Sequence, residues 1–177
     1  VGWGKFQAAC EPLSPRYKLY WGARYWYVAS NGKVWLATLG ENKYIPKNET
    51  ENIPILSWSS DRTSPVDLSA RNGNVMPSSL PIARITKWYE NIEALGWLGK
   101  VKFVQAEMRE GIPVVRLVFR RADGGSGTEV VFADDPADWY EAGLAVKKLY
   151  SSVGNIPQEM FIDTTYKGKI LVKNKIQ

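Results

Sequence analysis

Asp134, Asp135 and Asp138 have the residue types and closeness of a Mg²⁺ or acid–base cluster. Pro136 follows the first two, and a run with helical apolar spacing follows Pro136. Acids in that position cap a helix and meet the positive end of its dipole, which accounts for all three without a metal. The stretch Asp123-Gly-Gly-Ser-Gly127 is as glycine-rich as a phosphate loop. It lacks the Gly-Lys-Ser/Thr ending of such a loop and leads into a β-prone run, so it reads as a hairpin turn. Ser57, Ser59 and Ser60 have no lysine at the spacing of a Ser–Lys nucleophile. The chain contains no histidine, which removes the commonest general base, the commonest zinc ligand and every His-containing triad. Carboxylate and lysine chemistry remain open, yet nowhere do a nucleophile, a base and oxyanion donors come together. No catalytic, cofactor-binding or metal-ligating residue is expected, and the chain reads as a non-enzyme.

Eight tryptophans, Trp3, Trp21, Trp26, Trp35, Trp58, Trp88, Trp97 and Trp139, offer stacking surfaces for sugars. Trp139 belongs to a core stripe, and Trp26 and Trp35 sit on a hairpin where cross-strand aromatic pairs support a sheet. A carbohydrate- or peptidoglycan-binding module is therefore the alternative function. It requires two exposed rings on one surface with acids or amides nearby. Cys10 is the single cysteine, so no internal disulfide forms, and it reads as a small buried apolar residue.

The elements that must position these residues follow from a chain of 177 residues, enough for one substantial core. No apolar run approaches the ~20 residues of a membrane span. The sequence begins at Val1 without a signal segment, as an excised piece of a longer protein would, with any anchor upstream. The net charge of +5 is spread along the chain, apart from Arg120-Arg121 and the lysine-rich tail. Nucleic-acid binding would need a concentrated basic face, so no nucleic-acid partner is expected.

Residues 17–21 and 25–29 are β-prone aromatic runs, and Ser30-Asn31-Gly32-Lys33 is a hairpin turn returning as a strand over 34–39. Ile53-Pro54-Ile55-Leu56 reads as an edge piece or an anchored loop, because proline removes a ladder donor. Residues 57–79 form a long loop. Ser79 and Pro81 open a helix whose apolar stripe is Ile82, Ile85, Tyr89, Ile92 and Leu95, ended by Gly96 and Gly99. Three strands follow as a meander turning at Glu110-Gly111 and at 123–127. A second helix starts at Asp135-Pro136 with the stripe Trp139, Ala142, Val146, Leu149 and Val153, and ends at Gly154. The order predicts an α+β fold: a curved, mostly antiparallel sheet covered by two main helices and closed by a C-terminal β-hairpin.

That last hairpin turns at Lys167-Gly168. Its second run ends the chain and is expected at a sheet edge, where unpaired backbone groups are either a hazard or a docking site for another strand.

Several segments, in order, resemble the extracytoplasmic β domain of the FtsQ/DivIB cell-division family. Cys10-Glu-Pro-Leu13 stands where that family ends its POTRA domain, so 1–13 reads as a remnant or last strand of a POTRA-like segment and 14–177 as the β domain. Arg24-Tyr-Trp-Tyr-Val-Ala-Ser-Asn-Gly-Lys-Val-Trp35 looks like the family's aromatic hairpin. Ile53-Pro-Ile-Leu56 is similar to its Leu-Pro-hydrophobic segment, and Phe161-Ile-Asp-Thr-Thr-Tyr166 to its closing strand, with Thr165 in place of the usual arginine. The resemblance implies a domain on the extracytoplasmic, periplasmic face of the cytoplasmic membrane, anchored by a single upstream span. It also implies a scaffold role in recruiting membrane-anchored coiled-coil division proteins of the FtsB and FtsL types by strand addition. Carried onto this chain, the partner-binding residues are Lys169, Ile170, Leu171, Val172 and Lys173 of the last strand, with Thr164, Thr165 and Tyr166 alongside. Asp163 and Phe161 are expected to hold the hairpin to its own domain, while Lys169, Lys173 and Tyr166 select an acidic, partly apolar segment.

Overall fold

The computed structural model describes residues 14–21, 24–29, 34–37, 53–58, 82–152 and 159–174. Within them the sheet is built from β1 (Pro15–Trp21), β2 (Arg24–Ala29), β3 (Val34–Leu36), β4 (Ile55–Trp58), β5 (Val101–Arg109), β6 (Ile112–Arg120), β7 (Ser126–Ala133), β8 (Met160–Asp163) and β9 (Leu171–Asn174). Helix α1 (Ile82–Ala94) lies between β4 and β5. A 3₁₀ turn (Pro136–Asp138) and α2 (Trp139–Ser152) lie between β7 and β8.

The strands form one nine-stranded sheet in the order β3-β2-β1-β4-β5-β6-β7-β8-β9. Five neighbouring pairs are antiparallel. The pairs β1/β4, β4/β5 and β7/β8 are parallel. The α+β architecture, mostly antiparallel with two helices and a C-terminal hairpin, is therefore as the sequence predicts. The expected remnant over 1–13, the Ser30–Lys33 turn, the 59–79 part of the long loop and the Gly154 helix end fall outside the described residues.

Two local expectations are corrected, both at β4. The Ile53–Leu56 run is neither edge nor loop, and the long loop does not begin at Ser57: β4 takes in Ser57 and Trp58 and lies inside the sheet, between β1 and β5. Pro54 precedes the strand, so it removes no ladder donor, and its carbonyl accepts from the Lys18 N–H at 3.1 Å. In β5, alternation from Val101 would bury Phe103 and Gln105. A register shift between Val101 and Phe103 inserts one residue and reverses the parity, so the core receives Val101, Val104 and Ala106 instead.

Both helices lie on one face of the sheet over one continuous core. Helix α1 contributes Ile85, Trp88, Tyr89 and Ile92 and α2 contributes Trp139 and Val146, against Leu19, Leu56, Leu117, Phe132 and Ile162. Asp135 caps the start of the second helical segment by accepting from the Ala137 N–H at 3.0 Å, and Asp134 pairs with Arg84 of α1. Asp135 thus begins a helix as expected of a helix-start carboxylate, whereas Asp134 instead ties that start to α1. On the other face, Arg116 stands between Val114 and Val118 and bonds to Glu107 at 2.5 Å and Glu129 at 3.4 Å.

Tyr89 stacks on Tyr17 with centroids 4.5 Å apart and planes 12° apart. Its hydroxyl is buried without a hydrogen-bond partner among the described residues, and burial, followed by the nearby Tyr17, pushes its pKa well above the ordinary value. An unpaired buried hydroxyl opposes folding. The Tyr89→Phe variant should therefore be as stable as the wild type or more so, by up to about 1 kcal/mol in urea unfolding. A clear loss of stability would show that the hydroxyl is bonded after all.

Candidate functional site

β9 is the last strand of the sheet. Its residues pair with β8 as Asp163 with Leu171, Ile162 with Val172, Phe161 with Lys173 and Met160 with Asn174. All four β9 residues are exposed, and the strand's other edge meets no strand among the described residues. Successive side chains alternate faces. Val172 thus lies in the row of Leu117, Val130 and Ile162, on the helix-covered face. Leu171 and Lys173 lie on the opposite face, in the rows of Asp163 and Phe161.

The expected partner-binding residues do not all sit on strands. β8 ends at Asp163 and β9 begins at Leu171, so Thr164, Thr165, Tyr166, Lys169 and Ile170 lie in the connection between them. Only Leu171, Val172 and Lys173 belong to the edge strand. The cause is local. Asp163 Oδ1 accepts from the Thr165 N–H at 2.9 Å and from its hydroxyl at 2.6 Å, which bends the chain out of strand geometry. Thr164 stays on the sheet through its N–H and hydroxyl, which donate to the Val131 carbonyl at 2.9 and 2.8 Å. The turn itself is where the sequence places it: Gly168 has φ +70°, and the Lys169 N–H returns to the Tyr166 carbonyl at 3.0 Å. Ile170 packs against the core, whereas Tyr166 is 52% exposed.

Asp163 and Phe161 are both engaged by one side chain that sequence reasoning missed. Arg109, at the end of β5, donates to Asp163 Oδ2, and its guanidinium carbon lies 5.8 Å from the Phe161 ring centroid. The Asp163 side chain is wholly buried and that of Arg109 is 35% exposed. Burial pushes the Asp163 carboxyl up. The two bonds from Thr165, the bond from Arg109 and the Arg109 charge outweigh it and hold the group below the usual carboxylate range. The partners are 54 residues apart in sequence, and the only local mark on Arg109 is its place before the Glu110-Gly111 turn. Both turn residues have positive φ, 51° and 82°, as a two-residue type I′ hairpin demands.

Beside the connection runs a cleft of about 660 Å³, also missed from sequence. One wall is residues 164–170. The other is the face of the second helical segment that carries Asp138, Glu141, Ala142 and Ala145, and the floor is Phe132 and Trp139. The positions 138, 141, 142 and 145 have the i, i+3, i+4, i+7 spacing of one helical stripe, the signal from which it was legible.

The tryptophans with described side chains are structural: Trp88, Trp97, Trp139 and Trp26 are buried, and Trp35 packs on Tyr27 with centroids 5.8 Å apart. The exposed aromatic pair among the described residues is Tyr20 with Tyr25, each 44% exposed. They are cross-strand neighbours whose planes are tilted by 48°, not a flat stacking platform. No group of His, Cys, Asp and Glu among the described residues is placed to hold a metal ion. No described helix is long and apolar enough to cross a membrane. No family model, no curated protein and no solved structure matches the chain.

Proposed function

We propose that this chain is a non-enzymatic scaffold domain of the cell-division machinery that recruits a partner by β-strand addition to β9. The proposal places it on the extracytoplasmic face of the cytoplasmic membrane, tethered by an upstream span. Its partners are membrane-anchored coiled-coil proteins of the FtsB and FtsL types. The observation that carries the reading is the position of β9: a strand paired on both sides could accept nothing, and β9 is paired with β8 alone among the described strands. Main-chain bonds would give affinity, and the alternate side chains would give selectivity.

Proline substitution tests it. Successive N–H groups of a strand point to opposite edges, so one of Leu171 and Val172 directs its donor to β8 and the other outward. Comparing Leu171→Pro with Val172→Pro separates the two. One variant should keep its melting temperature and bind the FtsB-type ectodomain from the source genome at least about tenfold more weakly in calorimetry. The other should lose about 1–3 kcal/mol of stability. Unaltered binding by both variants, or no binding of that ectodomain by the wild type, would reject strand addition at β9.

A further inference from the structure

The cleft described above opens where β9 begins, because its basic wall, 164–170, leads directly into Leu171. A chain added to β9 and extended past Leu171 runs toward that wall. The cleft has walls of opposite charge. Lys167 and Lys169 lie on the connection, and Asp138 and Glu141 on the helical segment. Neither of these acids takes part in an ion pair among the described residues. Helix capping falls to Asp135, which leaves the carboxylates of Asp138 and Glu141 exposed. Between the walls, Ala142 and Ala145 offer apolar surface, and the small alanines leave the room that a larger side chain would fill.

We propose that this cleft seats the residues that flank the added strand of the incoming chain: an apolar side chain over Ala142 and Ala145, and beside it a cation facing Asp138 and Glu141. The inference rests on the strand-addition reading and deepens it. The partner is then bipolar. Its strand carries an acid opposite Lys173 and apolar residues opposite Leu171 and Val172, and its flank reverses the sign. In an antiparallel pairing, the more stable one per residue, that flank follows the strand. A partner acidic throughout would satisfy Lys173 but be repelled by Asp138 and Glu141 on the helical wall, so the second sign is a specificity element there.

Two synthetic peptides test this. Both carry the same acidic–apolar strand; one continues into Leu-Arg, the other into Leu-Glu. Binding is followed by the backbone amide shifts of Leu171–Asn174, which report the strand, and of Ala142 and Ala145, which report the cleft. Both peptides should shift 171–174, and only the arginine peptide should shift 142 and 145. It should bind about tenfold more tightly, the sum of two partly exposed charge pairs gained and two repulsions avoided. In the Asp138→Asn, Glu141→Gln double variant that preference should fall below about twofold, and in Glu141→Gln alone to about threefold, should the double variant not fold. Equal affinities with shifts at 171–174 only would overturn the cleft proposal and leave strand addition standing. No shift at 171–174 with either peptide would overturn both.

Discussion

Replacing Trp139 with alanine should cost about 3–5 kcal/mol, enough to remove most of the stability of a domain at the low end of the ordinary range. Trp139 is 1% exposed and joins three parts of the molecule. Its ring stacks on Trp88 of α1 with centroids 5.9 Å apart and planes 5° apart, and on Phe132 of β7 at 4.7 Å and 26°. Its indole N–H donates to the Ala133 carbonyl at 2.7 Å. Alanine would therefore open a cavity between both helices and the sheet and orphan a carbonyl. Trp139→Phe would keep most of the stacking and cost about 1–2 kcal/mol. Urea unfolding followed by circular dichroism measures both variants. A loss below about 1 kcal/mol for the alanine variant would show that the two helices are held by other contacts.

The Arg109→Ala variant should lose about 1–3 kcal/mol at neutral pH, discounted from the 3–5 of a fully buried pair because Arg109 is itself partly exposed. What is lost is chiefly the compensation of a buried carboxylate. The effect has a definite pH dependence. With its folded pKa held below the usual range, Asp163 contributes stability that is complete above its unfolded value of about 4. That contribution is lost as pH falls through the lower folded value. The gap between wild type and variant should then be widest near neutrality and close at more acidic pH. Amide exchange at 171–174 should speed up in the variant, since Asp163 pairs directly with Leu171 in the sheet. A gap that is independent of pH would mean that Arg109 acts through its contact with Phe161 rather than through its charge.

Much of this fold was legible because the signals were local. The stripe through Ile85, Tyr89, Ile92 and Leu95 specifies a helix and the face it buries. Asp135 before Pro136 marks a helix start, and Glu110-Gly111 and Gly168 supply the positive φ values of their turns. What escaped was set by distant parts of the chain. Nothing in Ile55–Trp58 says that parallel partners lie on both sides of it, since parallel register is fixed by crossovers rather than by turns. The bulge beside Val101 leaves no residue signature, yet it decides which alternate set is buried. At the candidate site, the terminal position of β9 followed from chain order. Its strand limits did not, because Thr165 folds back onto a carboxylate that Arg109 also binds. A β-prone run cannot reveal that its polar members bond to each other.

The pairing of β8 with β9 has a consequence for how the domain is assembled. β8 presents buried residues, Met160, Ile162 and Asp163, and would itself be an open edge without the strand that follows. The chain thus completes its own sheet by the step proposed for its partner, using a donor tied to it by a short leash. That leash gives the internal donor a high effective concentration. An external donor of the same pattern therefore competes poorly for β8 and is left the next vacant edge. The last strand thus shields the β8 row of the sheet and, on the strand-addition proposal, is also the template for what pairs beyond it.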